Sequence, residues 1–360
     1  MEGVKNIESL SICFTAGVVA GTVLFSGAGA LFPALLLPLL ALPVLLKDRL
    51  VRWREEVSVP VILLTFLLLG VFCARNAAFP GIQADGNLQS LAAGAVQRLR
   101  AFIGQIPFRD PGTAPLLNAL LTGDRSGLSA QTVETFRQSG ASHLLALSGL
   151  HMGILYLLFD WAARPFGHSP AARIIRFVLL ISATGFFTLM TGAGPSLVRA
   201  FLFIGLNELL RLLHRPRKAV HVFCVALLLQ LAWDPSVIRS LGFQLSYLAM
   251  AGIFLVYPVL EKWYPEGSRY NPLRRIWKTA ALSISCQLFT APLAWLRFHT
   301  FPRYFLLTNL LALPLVSVLM TAAVATVILS ALGWCPALLI TTTDGLGRLL
   351  LWVLEVICAM

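Results

Sequence analysis

The chain has 360 residues, 58% of them hydrophobic and 12% charged, with a formal net charge of +12. That balance excludes an ordinary soluble domain and points to a multi-span α-helical membrane protein. The basic excess does not by itself mark a nucleic-acid binder, because cytoplasmic loops of membrane proteins collect lysine and arginine.

Residues 10–46 carry no charge, which is too long for one span and suits two, turning near Gly27 to Gly29. A third span, 57–73, follows the charged loop KDRLVRWREE. A polar stretch, 75–140, contains an amphipathic helix. Its apolar stripe runs through Leu88, Leu91, Ala95, Leu99, Phe102 and Ile106, with Arg98 and Arg100 off the stripe. Such a helix is expected to lie along the membrane surface.

The second half reads as alternating spans near 141–159, 177–191, 195–213, 219–233, 244–260, 279–296 and 307–332, with a last helix near 346–360. The fold class is therefore all-α, a polytopic transmembrane bundle of about ten to eleven spans with an extracytoplasmic amphipathic helix. Three regions follow: a three-span segment over 1–74, an amphipathic linker over 75–114, and a transmembrane channel domain over 115–360. The loops 47–56, 160–176, 211–218 and 261–278 hold most of the lysine and arginine, whereas the opposite short loops hold only Arg239, Arg297 and Arg303. The basic side is cytoplasmic, so the N-terminus is expected inside and 75–140 outside.

Within the apolar run 141–159, Ser148 and His151 are three residues apart and would share a helical face, with His143 about two turns earlier. Polar groups at mid-span are costly unless they face protein or a water-filled path, so these residues are candidates to line or gate one. Gly149 and Gly153 form a small-xxx-small pair suited to close helix packing. In TGAGPSLVRAF, Pro195 is placed to open a helix and Arg199 follows one turn in. Arg199 either snorkels to lipid headgroups or faces the bundle, where it would attract an anion such as phosphate.

Asp234 precedes Pro235 as a helix cap would, starting a short helix that carries Arg239. Gln244 and Ser246 enter the next span, and Gln244 joins Ser148, His151, His143 and Arg199 as a candidate to line or gate the path. Pro292 marks one kinked span, and Asn309 with Pro314 marks another. The six cysteines (Cys13, Cys73, Cys224, Cys286, Cys335 and Cys358) show no CxxC or Cys/His spacing, so no disulfide scaffold or zinc site is indicated. No HxHxDH, HExxH, GxSxG or phosphate-loop motif occurs. Catalytic residues, metals and cofactors are not expected, and the chain does not read as an enzyme.

The runs LLTGDRSGLSAQTVETFRQSGASHLLALSGLHMGIL, TGAGPSLVRAF and DPSVIRSLGFQLSYLAMAGI, with the stretch from TAPLAW to TNLLALPL, together resemble the membrane domain of the ComEC family of competence proteins. They cover roughly residues 115 to 330 in the family's order. The resemblance implies a multi-pass protein of the bacterial inner membrane that carries single-stranded DNA to the cytoplasm. Its implied partners are single-stranded DNA, membrane lipids, a DNA receptor, a cytoplasmic helicase and a separate nuclease. Relatives usually carry an outer OB-type domain, for which 75–110 is too short, and many carry a metallo-β-lactamase-like domain that would begin beyond residue 360. The chain is expected to be a membrane core, either a short member or part of a longer protein. A transporter of a smaller anionic or lipid-linked substrate and a non-transporting membrane scaffold stay open beside the DNA channel.

Overall fold

The computed structural model describes residues 7–23, 58–75, 86–167, 169–264, 272–299, 304–334 and 336–360. Regular structure among them is entirely helical. In order these are α1 (Ile7–Val23), α2 (Ser58–Arg75), α3 (Gly86–Gln105), α4 (Thr113–Thr122), α5 (Ala130–Gln138), α6 (Ser142–Leu145), α7 (Gly149–Ala162) and α8 (Pro170–Met190). They continue with α9 (Pro195–Leu212), α10 (Ala219–Trp233), α11 (Leu241–Leu255), α12 (Tyr257–Glu261), α13 (Pro272–Phe298), α14 (Phe305–Ala331) and α15 (Ala337–Cys358).

The protein is an all-α polytopic membrane protein. Four described helices, α8, α13, α14 and α15, are long and apolar enough to cross a bilayer, and shorter apolar helices occur in α1, α2, α4, α10 and α11. Among the described residues, several segments read as single spans are shorter than a full crossing or interrupted. The run 141–159 is divided into α6 and α7 by extended backbone at Ala146 and Ser148. The run 244–260 is divided into α11 and α12 at Val256. The final helix starts at Ala337 rather than near 346. Arg173 and Arg176 lie in the first turns of α8, and Arg274, Arg275 and Lys278 in those of α13, rather than in loops. The second span expected within 10–46 lies outside the described residues.

Contacts divide the chain into two units, one of 1–84 with 202–243 and one of 85–201 with 244–360. In the first unit, α1 and α2 pack backbone against backbone. Gly17 faces the Leu67 carbonyl and Gly70 faces the Phe14 carbonyl, each so close that a Cβ would collide. In lipid the hydrophobic gain between helices is small, so this close approach of small residues is what holds such a pair. Ser11 Oγ links α1 to the Cys224 carbonyl of α10 at 3.4 Å. Arg239, on the 3-10 turn Pro235–Arg239, donates to the Thr22 carbonyl near the end of α1 at 2.6 Å.

The core of the second unit is built on α4, whose Leu116, Leu117 and Leu120 are fully buried. The polar stretch 75–140 is therefore not peripheral throughout: its residues 113–122 form an apolar helix inside the bundle, packed by α3, α6, α14 and α15. The helix α3 keeps Ile103 in the core and leaves Leu88 and Leu91 exposed near its start. A few buried hydrogen bonds tie the long helices. Thr326 and Thr343 hydroxyls meet at 2.9 Å between α14 and α15, and Thr308 donates to the Ser139 carbonyl at 2.6 Å. Such bonds contribute about 0.6 kcal/mol each on average.

Candidate functional site

The interruption between α6 and α7 builds the site. Ser148 is not a mid-span residue; it is the N-cap of α7, with its side chain accepting from the Leu150 amide at 3.3 Å. His151 completes a reciprocal capping box, because its Nδ1 accepts from the Ser148 amide at 3.3 Å and lies 3.1 Å from Ser148 Oγ. With Nδ1 as acceptor, the neutral ring carries its proton on Nε2. The His151 side chain is fully buried, and Nε2 has no hydrogen-bond partner among the described residues.

The loop after α4 holds the interruption from the other side. Arg125 Nε donates to the Leu145 carbonyl at 3.2 Å, and Gly123, at φ +77° where a side chain would be strained, packs against the Leu147 side chain. Arg100 of α3 steadies this loop through Thr122 Oγ1 at 3.0 Å and Asp124 at 3.2 Å. The amide and hydroxyl of Ser126, and then Arg100, hold the Asp124 carboxyl below the usual aspartate range.

Arg199, in the second turn of α9, points at the start of α7. Its Nη2 lies 3.4 Å from where a Cβ on Gly149 would sit, with Ala200 Cβ 3.8 Å away. Its Nε donates to Ser246 Oγ of α11 at 2.6 Å, and the guanidinium carbon stands 5.9 Å from the centre of the buried Tyr247 ring. Hydrogen bonding at Nε and the aromatic face fix the plane of the guanidinium. Its Nη2 is left facing the start of α7 at Gly149. A guanidinium fixed in this way presents a two-toothed donor edge to a carboxylate or phosphate.

Comparison with known proteins adds the family. The family model of competence proteins matches residues 120–360, more than half of the chain. The chain belongs to the competence protein family. Its relatives include ComE operon protein 3 of Bacillus subtilis, 26% identical over 224 residues, covering 62% of this chain and 27% of that protein. Competence protein ComA of Neisseria gonorrhoeae is 30% identical over 175 residues, covering 47% and 25%. Recombination protein 2 of Haemophilus influenzae is 27% identical over 288 residues, covering 74% and 35%. The chain thus spans about a quarter to a third of the length of these relatives. No solved structure matches it.

In this family member the other sequence-predicted residues are dispersed. His143 is exposed on α6, with Nδ1 3.1 Å from the Gly140 carbonyl. Gly153 does not pack against another helix, since a Cβ there would meet nothing within 4 Å. Pro195 is the first residue of α9, and Gln244 is a half-buried residue in the first turn of α11. Asp234 caps its 3-10 turn by accepting from the Ser236 amide at 3.0 Å. Pro292 and Pro314 lie inside α13 and α14, both of which run through them without interruption. Asn309 Oδ1 is buried without a partner among the described residues. The sequence marks Ser246 only as a polar residue entering a span beside Gln244, and it does not mark Arg125 or Tyr247. The arginine was visible within GDRSG, but only the fold shows that it reaches a carbonyl twenty residues on.

Proposed function

We propose that this chain is the membrane core through which single-stranded DNA passes into the cytoplasm during natural transformation. Its membership of the competence protein family, and a relative named as competence protein ComA, support a role in DNA uptake. The observation that carries the finer reading is Arg199, a guanidinium held by Ser246 with its Nη edge turned to the interrupted helix α7. A passing strand offers a phosphate at every nucleotide, and contacts to phosphate carry no sequence preference. Bundle-facing Arg199, rather than a snorkelling one, is what such a path requires.

On this reading the protein is a non-enzymatic conduit in the bacterial inner membrane with its basic loops on the cytoplasmic side. It receives DNA from a receptor, passes it to a helicase, and relies on a separate nuclease to leave one strand. The test is deletion of the gene, followed by tracking labelled DNA from the cell surface into the cytoplasm. The expected result is surface DNA that never enters, with entry restored by the wild-type gene. Arg199→Ala should accumulate normally yet restore little entry, and Arg199→Lys should restore part, since lysine lacks the fork. Normal transformation of the deletion strain would overturn the reading and move the site to a smaller anionic substrate.

A further inference from the structure

The turn from α7 to α8 gathers charge that the DNA path does not use. Asp160 is buried in the last turn of α7, and Arg176 of α8 donates to its Oδ1 through Nη2. Arg164, on the 3-10 turn Arg164–Phe166 that follows α7, stands 3.9 Å from the other carboxylate oxygen. Arg173 lies one turn before Arg176 on the same face of α8. Three arginines thus meet one acid at this end of the helix pair.

The helices here supply no further negative charge. Asp160 is the sole acidic residue of α7 and α8, and the helices packed on them, α14 on α7 and α3 on α8, carry none. Three guanidinium groups against one carboxylate leave the cluster positive. Arg176 is held in place, with its side chain 12% exposed and its Nε buried without a hydrogen-bond partner among the described residues. Arg164 is 67% exposed and free to turn toward a ligand. The helix α8 is long and apolar enough to cross a bilayer. At 1.5 Å per residue, Arg173 and Arg176 stand about 5 and 9 Å along its axis from Pro170, the depth of head groups and the start of the acyl region. Around them α8 turns apolar side chains outward: Ile174, Ile175 and Val178 are exposed, as is Trp161 beside Asp160.

We propose that Arg164, Arg173 and Arg176 form a site for an anionic phospholipid, its phosphate held by the guanidinium groups and its acyl chains lying on Ile174, Ile175 and Val178. A guanidinium meets phosphate through two parallel N–H···O bonds, and basic pockets between membrane helices take acidic head groups for that reason. Asp160 fixes Arg176 and cancels one of the three positive charges. The remainder suits a lipid with two phosphates, diphosphatidylglycerol, better than one with a single phosphate. A zwitterionic lipid brings an ammonium that the arginines repel. A nucleic-acid strand matches the charge but has no apolar part to set on the exposed aliphatic face of α8. Lipid bound here braces the end of α7 opposite to Gly149, the residue that faces Arg199.

The test uses the purified whole protein in detergent, mixed with diphosphatidylglycerol, phosphatidylglycerol or phosphatidylcholine, and counts retained lipids by native mass spectrometry. Wild type should retain diphosphatidylglycerol in clear preference to phosphatidylcholine. The double variant Arg164→Gln, Arg173→Gln leaves the pair of Asp160 and Arg176 in place and should weaken that retention by about fivefold for each arginine lost. Arg215→Gln with Arg217→Gln removes equal charge from the exposed loop between α9 and α10 and should leave retention unchanged. Equal loss from the two double variants would mean attraction by net charge alone, and no preference in wild type would mean no site; either overturns the proposal. A single-stranded oligodeoxynucleotide forms the other arm. If Arg164 and Arg173 are needed to bind it while lipid retention does not depend on them, the arginines serve the strand and the proposal falls. Should the double variant lose its helical structure, Arg164→Gln alone, at an exposed side chain, carries the same comparison. Lipid retention is read without transport, so it succeeds or fails independently of the DNA path.

Discussion

The guanidinium of Arg199 and the bare Cα of Gly149 face each other across α7 and α9, with Nη2 placed 3.4 Å from a would-be Cβ. The glycine thus gives room to a charged side chain rather than to a neighbouring backbone. This predicts a graded response. Gly149→Ala places a methyl at ordinary contact distance and should keep DNA entry within about twofold, because the side-chain end can yield slightly. Gly149→Leu should push the guanidinium off its line to Ser246 and lower entry by tenfold or more, with the protein still present in the membrane. Immunoblotting beside transformation frequency checks both. Equal entry from the leucine variant would show that the glycine does not shape the site.

The pair α1 and α2 predicts the opposite behaviour. Here glycine faces backbone, which cannot yield. Gly17→Ala and Gly70→Ala would drive a methyl into the carbonyls of Leu67 and Phe14. Each should destabilise the helix pair by about 1–3 kcal/mol or more. Gly94→Ala and Gly104→Ala on α3, where a Cβ meets nothing within 4 Å, should be neutral or mildly stabilising. Thermal stability in detergent separates the two classes.

The sequence shows apolar runs directly and their interruptions poorly. The helix α10 and the start of α9 at Pro195 agree with the pattern, and α3 agrees within two residues, because composition changes sharply at their ends. The interruption at Ala146 to Ser148 is invisible to hydropathy, since alanine and leucine suit either backbone. Its only local sign is a serine three residues before a histidine, an unusual partner for a capping box, where glutamate or glutamine is the norm. The helix α15 starts well before the expected 346 and runs through TTTDG, whose polar residues interrupt the apolar pattern. Those threonines bond within their own helix or to Thr326, and the aspartate reaches Thr113, contacts that no linear pattern contains. Similarly, α4 sits inside the polar stretch 75–140 because polar flanks surround it, although its own ten residues are almost all apolar or small.

The loop after α4 has a defined pH dependence. Ser126 and then Arg100 depress the Asp124 carboxyl, so its contribution to stability is fully present above the ordinary aspartate value of about 3.9. It is lost as pH falls through the lower value of the folded protein. The group is partly exposed, so the contribution is about 1 kcal/mol or less. Asp124→Asn should therefore lower stability slightly at neutral pH, and the gap to wild type should close on strong acidification. Denaturant or thermal unfolding followed between pH 7 and pH 3 tests the sign. A gap that widens in acid would show that the carboxylate is not the stabilising form.

Arg125 acts through the interruption it holds. The carbonyl of Leu145 ends α6, has no successor amide within a continuing helix, and takes its hydrogen bond from Arg125 Nε. Arg125→Ala would leave that carbonyl unsatisfied at a cost of about 1–3 kcal/mol, and the segment from Ala146 to Ser148 would shift to find another donor. The start of α7 would move with it, and so would Gly149 relative to Arg199. A global loss of folding and a local shift predict different results. With Ala146→Cys as a reporter at an exposed position, a water-soluble thiol reagent should label at a changed rate in Arg125→Ala, while total protein stays near wild type. Arg125→Lys, which can still donate to the carbonyl, should return the rate toward its original value and restore part of DNA entry. An unchanged labelling rate with entry lost would mean that Arg125 acts by its charge alone, and the lysine variant would then match wild type.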